Sequence, residues 1–175
     1  MEFLELAKSR YSVRQFRATP VEPEKLGMIL EAGRVAPTAA NLQPQRILVL
    51  DTPDALEKLR GCTSSHFFAP LALLVCYDTN VSWKRSYDKK DMGEVDAAII
   101  STHMMLEAAM LGLGSTWVAH FDPAKVRSAF RLPDEYEPVA LLPMGYPAED
   151  SAPHANHGRR KEITDTVFRQ EFGRE

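Results

Sequence analysis

One domain of interleaved helices and strands is expected from this chain on three grounds. Apolar residues recur at helical spacing in several segments, short apolar runs bounded by turn formers separate those segments, and no linker or repeat divides the 175 residues. Composition agrees: 45% hydrophobic and 26% charged residues are the proportions of a chain with one buried core. The whole of 1–175 is therefore taken as a single domain.

Phe3, Leu4, Leu6 and Ala7 share one helical face, and the basic stretch from Ser9 to Arg17 then runs extended. Glu22-Pro23 is a cap followed by proline at the first helical position, opening a helix that carries Leu26, Ile29, Leu30 and Gly33 and stops at Ala36 before Pro37. After the polar turn Thr38 to Gln45, the run Ile47 to Leu50 is a buried strand. Thr52-Pro53 repeats the cap, with Ala55, Leu56 and Leu59 on a short helix closed by Gly61. Leu71 to Tyr77 is the second strand. The stretch Asp78 to Lys90 has no sustained period and is read as a mobile loop or irregular helix whose aromatics could cover a site. Val95, Ile99, Ile100, His103, Met104, Leu106 and Met110 make the core helix, ended by Gly112 in a left-handed C-cap, with His103 a hydrogen-bonded core residue. Thr116 to His120 is a third strand, Asp122-Pro123 caps the next helix with Phe121 and Val126 as a staple, and Val139 to Met144 is a fourth strand. The segment 147–161 lacks apolar periodicity, and Ile163, Val167 and Phe168 form a final short element with too little apolar surface to stand alone, so it must dock. Helix–strand alternation ordinarily suggests a parallel sheet, but no strand is followed by a glycine-rich phosphate loop, and periodicity leaves strand direction open.

Several classes are disfavoured. With 21 basic against 24 acidic residues the net charge is −3, which suits no general nucleic-acid binder. The longest apolar run, Ala69 to Tyr77, contains Pro70 and falls far short of the ~20 residues of a membrane helix. The acidic N-terminus does not fit a signal peptide, so a cytoplasmic location is expected, with Cys62 and Cys76 as free buried thiols. His154 and His157 form a close pair without a third ligand, so no metal is expected there; Asp91, Glu94 and Asp96 suit the positive end of the core helix.

Two segments carry chemistry. Arg10, Ser12 and Arg14 alternate, which in an extended chain aims three side chains one way, and two guanidinium forks around a hydroxyl suit a phosphate; a solvated basic strand is the alternative. The turn from Ala36 to Pro44 sets small residues between two prolines, where a flat ligand can approach the backbone, and then offers the amides Asn41 and Gln43; an ordinary helix-to-strand connection is the alternative.

Together these segments resemble the FMN-dependent nitroreductases. Arg10-Tyr11-Ser12-Val13-Arg14-Gln15-Phe16 is similar to that family's R-x-S-x-R-x-F segment, and Ala36 to Pro44 to its A-P-[ST]-x-x-N-x-Q-P turn. Leu111 to Trp117 is similar to its G-L-G-[ST]-x-W passage, and Gly145-Tyr146-Pro147 with His157-Gly158-Arg159-Arg160-Lys161 to its closing G-Y-P and basic tail. The resemblance implies an α+β fold of three layers, α/β/α, around a central, largely antiparallel sheet, and a homodimer with FMN at the subunit interface.

Carried over by position, Arg10, Tyr11, Ser12 and Arg14 would hold phosphate and ribityl oxygens with Arg160, or Arg159 in its place. Pro37, Thr38, Ala39, Asn41 and Gln43 would approach the flavin, Pro37 to Asn41 from the other subunit. Ala119 or His120 would offer a backbone N–H to flavin N5, and Gly145 would lie nearby unless it is a plain turn glycine with positive φ. Gln45 stands where the family often has an aromatic residue, and the group beside flavin N1 and the C2 oxygen stays open among Ser65, His66 and Arg46. The implied activity is ping-pong transfer from NADH or NADPH through FMN to nitroaromatics, quinones or similar acceptors. Reductive dehalogenation, flavin breakdown or non-catalytic FMN binding are the alternatives. No side-chain nucleophile is required, and no G-x-S-x-G elbow is present.

Overall fold

The computed structural model describes residues 2–172. Helices α1 (Phe3–Ser9) and α2 (Pro23–Arg34) precede strand β1 (Gln45–Leu50), helix α3 (Pro53–Arg60) and strand β2 (Leu71–Asp78). The long helix α4 (Gly93–Met110), the two-residue β3 (Gly114–Ser115), α5 (Pro123–Phe130), β4 (Tyr136–Gly145) and α6 (Ile163–Thr166) complete the order. The four strands pair in the order β1-β2-β4-β3, every pair antiparallel.

Both faces of this sheet are covered, which explains why β2 reads as an unbroken apolar run rather than an alternating one. Leu71, Leu73 and Val75 of β2, with Leu142 and Met144 of β4, pack under Ile29 of α2 and Ala97, Ile100 and Met104 of α4. The intervening Ala72, Leu74 and Cys76, with Leu141, pack on Leu59 of α3 and Val126 of α5. The result is the three-layer α/β/α arrangement.

Local chemistry sets the element ends. The Thr52 hydroxyl accepts from the Ala55 N–H at 3.3 Å, and an Asp122 carboxylate oxygen accepts from the Ala124 and Lys125 N–H groups at 3.0 and 3.1 Å. Gly112 takes φ +78° after α4, the left-handed turn that its lack of a side chain permits. Glu22 occupies the cap position of α2 but makes no side-chain cap; its carboxylate accepts instead from the Tyr146 hydroxyl at 2.7 and 2.8 Å, which holds its carboxyl below the usual range.

Three expectations are corrected. The third strand is Gly114–Ser115; beyond it the chain stays beside β4 through the Thr116 N–H on the Pro143 carbonyl and the isolated Val118–Leu141 bridge, while the Thr116 hydroxyl turns to the Val13 carbonyl, and it then leaves the sheet. His103 is half-buried rather than in the core, and Val95 and Met110 at the two ends of α4 are exposed. Residues 79–92 lie outside any helix or strand and form turns held by hydrogen bonds: Arg85 N–H donates to the Lys90 carbonyl at 2.9 Å and Met92 N–H to that of Trp83 at 3.0 Å. The third and fourth strands therefore differ in kind, one a short stub and the other ten residues long.

Cys62 and Cys76 are buried and free. Burial pushes the Cys76 thiol up to about 12, and burial with the Asp122 charge pushes Cys62 up as well. Only the thiolate reacts, so Cys76 is expected to resist alkylation at pH 8 until the chain is unfolded; mass spectrometry showing equal labelling of Cys76 with and without denaturant would contradict this.

Candidate functional site

The arginine segment is fixed between two other parts of the chain. Val13, only 2% exposed, donates its N–H to the Ser115 carbonyl at 3.1 Å, while the Thr116 hydroxyl donates to the Val13 carbonyl. Further along, Arg17 N–H donates to the Tyr146 carbonyl at 2.8 Å and Ala148 N–H to that of Gln15 at 3.0 Å. Gly114 and Gly145 allow this approach: a Cβ on Gly114 would lie 2.5 Å from Val13, and one on Gly145 2.8 Å from the Pro70 ring. Gly112 is the one glycine with positive φ among the described residues, so Gly145 is not the positive-φ turn glycine considered above; its role is close packing.

Tyr11, Ser12 and Arg14 line a cavity of about 550 Å³ whose other wall is His154, Asn156 and His157. The tail is tied there by the Tyr11 hydroxyl against Ser151 at 3.2 Å and by His157 Nε2 against the Lys8 carbonyl at 3.1 Å. A carbonyl can only accept, so His157 carries its proton on Nε2 in this contact. His154 Nδ1 accepts from the Asn156 N–H at 3.2 Å, which puts its proton on Nε2 too. Arg160 donates to the carbonyls of His157 and Arg159, so the basic tail is anchored one step from the cavity, and Arg159 is exposed. Arg10, the extended C-cap of α1, lines a second cavity of about 190 Å³ beside Ala109 and Gly112, which Tyr11 borders as well.

The second group lies around Ala119 and His120. The N–H groups of Thr116, Val118 and Phe121 donate to Pro143, Leu141 and Ala119, whereas those of Ala119 and His120 meet no backbone acceptor among the described residues, and both residues are exposed. The His120 carbonyl accepts from the Thr63 hydroxyl, which fixes the loop before β2. That loop carries Ser65 and His66. Burial first, and Arg60 second, push the His66 pKa down, and its Nδ1 accepts from the Phe68 N–H at 3.0 Å, leaving a neutral ring with its donor on Nε2. A cavity of about 480 Å³ runs between Thr63, His66, His120 and Lys125. Arg46 is elsewhere, paired with Asp78 at 2.8 Å and stacked over Tyr136, so Ser65 and His66 are the open candidates that share this region.

The third group is the turn after α2. Ala40, Asn41 and Gln43 adopt φ of 50°, 54° and 50°, a left-handed run in residues other than glycine. Thr38 Oγ1 accepts from the Gln43 N–H at 3.1 Å and the Asp96 carboxylate accepts from the Ala39 N–H at 2.9 Å. Pro37, Asn41 and Gln43 are exposed. This turn stands at the start of α4, through Asp96, while Arg10 and Tyr11 stand at its end, beside Ala109. At 1.5 Å per residue those points on α4 are about 20 Å apart. No cluster of three or more His, Cys, Asp or Glu among the described residues is placed to hold a metal, and none of their helices is long and apolar enough to cross a membrane.

The Nitroreductase family model matches residues 7–72 and 64–146, spanning the arginine segment, the turn, β2, α4 and β4. The chain belongs to the nitroreductase family. A nitroreductase family protein from Clostridium difficile 630 superposes with a TM-score of 0.92 at 40% identity, over 98% of this chain and 99% of that one. An NADH dehydrogenase from Thermus thermophilus is 30% identical over 179 residues, 84% of this chain and 87% of the relative. A nitroreductase from Exiguobacterium sibiricum, solved in complex with FMN, shares the fold with a TM-score of 0.84 at 21% identity, over 96% of this chain and 97% of that one. The nitroreductase fold and its antiparallel sheet thus stand as expected from the resemblance. His154, Asn156, His157, Thr63 and Asp96 were not singled out as site residues by sequence, since each joins the site through a contact distant along the chain.

Proposed function

We propose that this nitroreductase-family protein is an FMN-dependent oxidoreductase of the cytoplasm that carries two electrons from NADH or NADPH to electron-poor acceptors such as nitroaromatics and quinones, working as a homodimer. Two observations support the reading, a cavity lined by basic and hydroxyl groups and a pair of unengaged backbone donors. Arg14 and Ser12 line a polar cavity large enough for a phosphate group, and beyond the Val118–Leu141 bridge the Ala119 and His120 N–H groups meet no backbone acceptor among the described residues. The residues therefore fit FMN, whose phosphate needs charged donors and whose ring needs a hydrogen bond at its edge.

The chemistry that FMN supplies when bound is reversible two-electron storage in its ring. The protein's part is binding and electrostatics. Arg14 and Ser12 hold the phosphate with Tyr11 beside them, and Arg10 and Arg160 add positive charge from either side. The Ala119 or His120 N–H steadies the electron density that collects at the ring edge, a preorganised dipole that needs no rearrangement. Pro37, Thr38, Ala39, Asn41 and Gln43 reach the ring from the partner copy, which answers the separation along α4. Exposed Met28, Val35 and Val95, and Phe172 at 93% exposure, give the apolar surface that a second copy would cover.

An anaerobic visible spectrum tests the reading. The purified protein is expected to be yellow, to bleach on addition of NADH or NADPH, and to recover its colour when a nitroaromatic or quinone is added. A colourless preparation that binds no added FMN ends the proposal, and a yellow one that neither nucleotide bleaches makes it a flavin-binding protein without this activity.

A further inference from the structure

Asp96 is 2% exposed, one turn into α4, and it is an odd residue to bury. One carboxylate oxygen accepts from the Ala39 N–H at 2.9 Å, while the other, Oδ2, is buried with no hydrogen-bond partner among the described residues. No basic side chain pairs with it among the described ion pairs. The positive end of α4 favours an acid there, but a fold needing only stability is better served by an apolar side chain at so dry a position. What the carboxylate touches supplies the reason. Ala39 begins the interrupted run in which Ala40, Asn41 and Gln43, with Leu42 at φ −77° between the last two, take left-handed φ, a conformation that is unfavourable for residues other than glycine. Such a run persists only when its surroundings over-determine it. Thr38 Oγ1 closes the turn from within, and Asp96 fastens its first residue to the helix that spans the core.

We infer that Asp96 is a positioning residue, one that clamps the 38–43 turn in the strained shape with which it meets the flavin ring bound by the partner copy. This rests on the proposed function. The carboxylate touches neither ring nor phosphate; it acts through Ala39, and its orphaned oxygen is the cost of placing a charged acceptor where a backbone N–H must be held.

The test compares FMN with riboflavin, which keeps the ring and lacks the phosphate, by fluorescence titration of apoprotein, with dimer state and thermal midpoint measured alongside. Asp96→Ala is expected to weaken both ligands by a similar factor of about ten or more, since a hydrogen bond to a charged group is lost on the ring side. Asp96→Asn, whose amide oxygen still accepts from Ala39, is expected to stay within about threefold of wild type. Asp96→Leu, which fills the space without a charge, carries the same expectation as Asp96→Ala and replaces it if that variant does not fold. A lowered thermal midpoint with both affinities unchanged makes Asp96 merely structural and overturns the inference. So does a loss confined to FMN, which would locate the effect at the phosphate. Wild-type protein that binds neither ligand instead overturns the proposed function, and this inference with it.

Discussion

Arg14→Ala is expected to weaken FMN by roughly 10- to 100-fold while leaving riboflavin within about twofold, because in the proposed site the lost group is a charged hydrogen-bond donor to the phosphate alone. Arg14 is exposed and donates weakly to the Ser12 carbonyl at 3.2 Å, so the folded chain gives up little when the side chain is removed. A surface guanidinium is also partly screened, which keeps the expected loss below that of a buried pair. The two ligands separate phosphate binding from ring binding in one experiment. Equal loss of both would mean that Arg14 supports the shape of the site, and no loss of either would remove it from the site altogether.

Gly114→Ala reaches the same segment from below and is expected to damage stability and flavin binding together. The added Cβ would lie 2.5 Å from Val13 Cγ2 and 2.7 Å from its Cβ, distances at which the segment must move. Overpacking of this kind costs typically about 1–3 kcal/mol. For a chain of this size that lowers the thermal midpoint by roughly 2–12 °C. Val13 donates to Ser115 and accepts from Thr116, so pushing it outward shifts Ser12 and Arg14 on either side. Adding Val13→Ala to Gly114→Ala should restore part of both losses, although Val13→Ala alone leaves a cavity, because the two substitutions share one contact. Calorimetry on the four proteins checks this. Strict additivity, or a Gly114→Ala midpoint within about 1 °C of wild type, would mean that the contact is not tight.

Local patterns recovered most of the fold. The proline-led helices, the Thr52 and Asp122 caps and the left-handed Gly112 depend on neighbours in sequence, and each is found where expected. β2 and β4 were legible as apolar runs because both sheet faces are covered, but an unbroken run says nothing of strand direction; the antiparallel pairing came only from the resemblance. Thr116 to His120 misled because its buried residues alternate as in a strand, while Thr116 is engaged with Val13, 103 positions away. The histidine pair and Asp96 are visible in the sequence as residues but not as parts of a site, since His154 comes to line one cavity with Arg14, and Asp96 meets Ala39, only after the chain has closed on itself.

In the proposed homodimer, with the turn near one end of α4 and the arginine segment near the other, a lone copy offers only half of each flavin site. Pigment retention then becomes a function of protein concentration: dilution that separates the copies also releases the dye, and added dye draws the copies together by the same free energy.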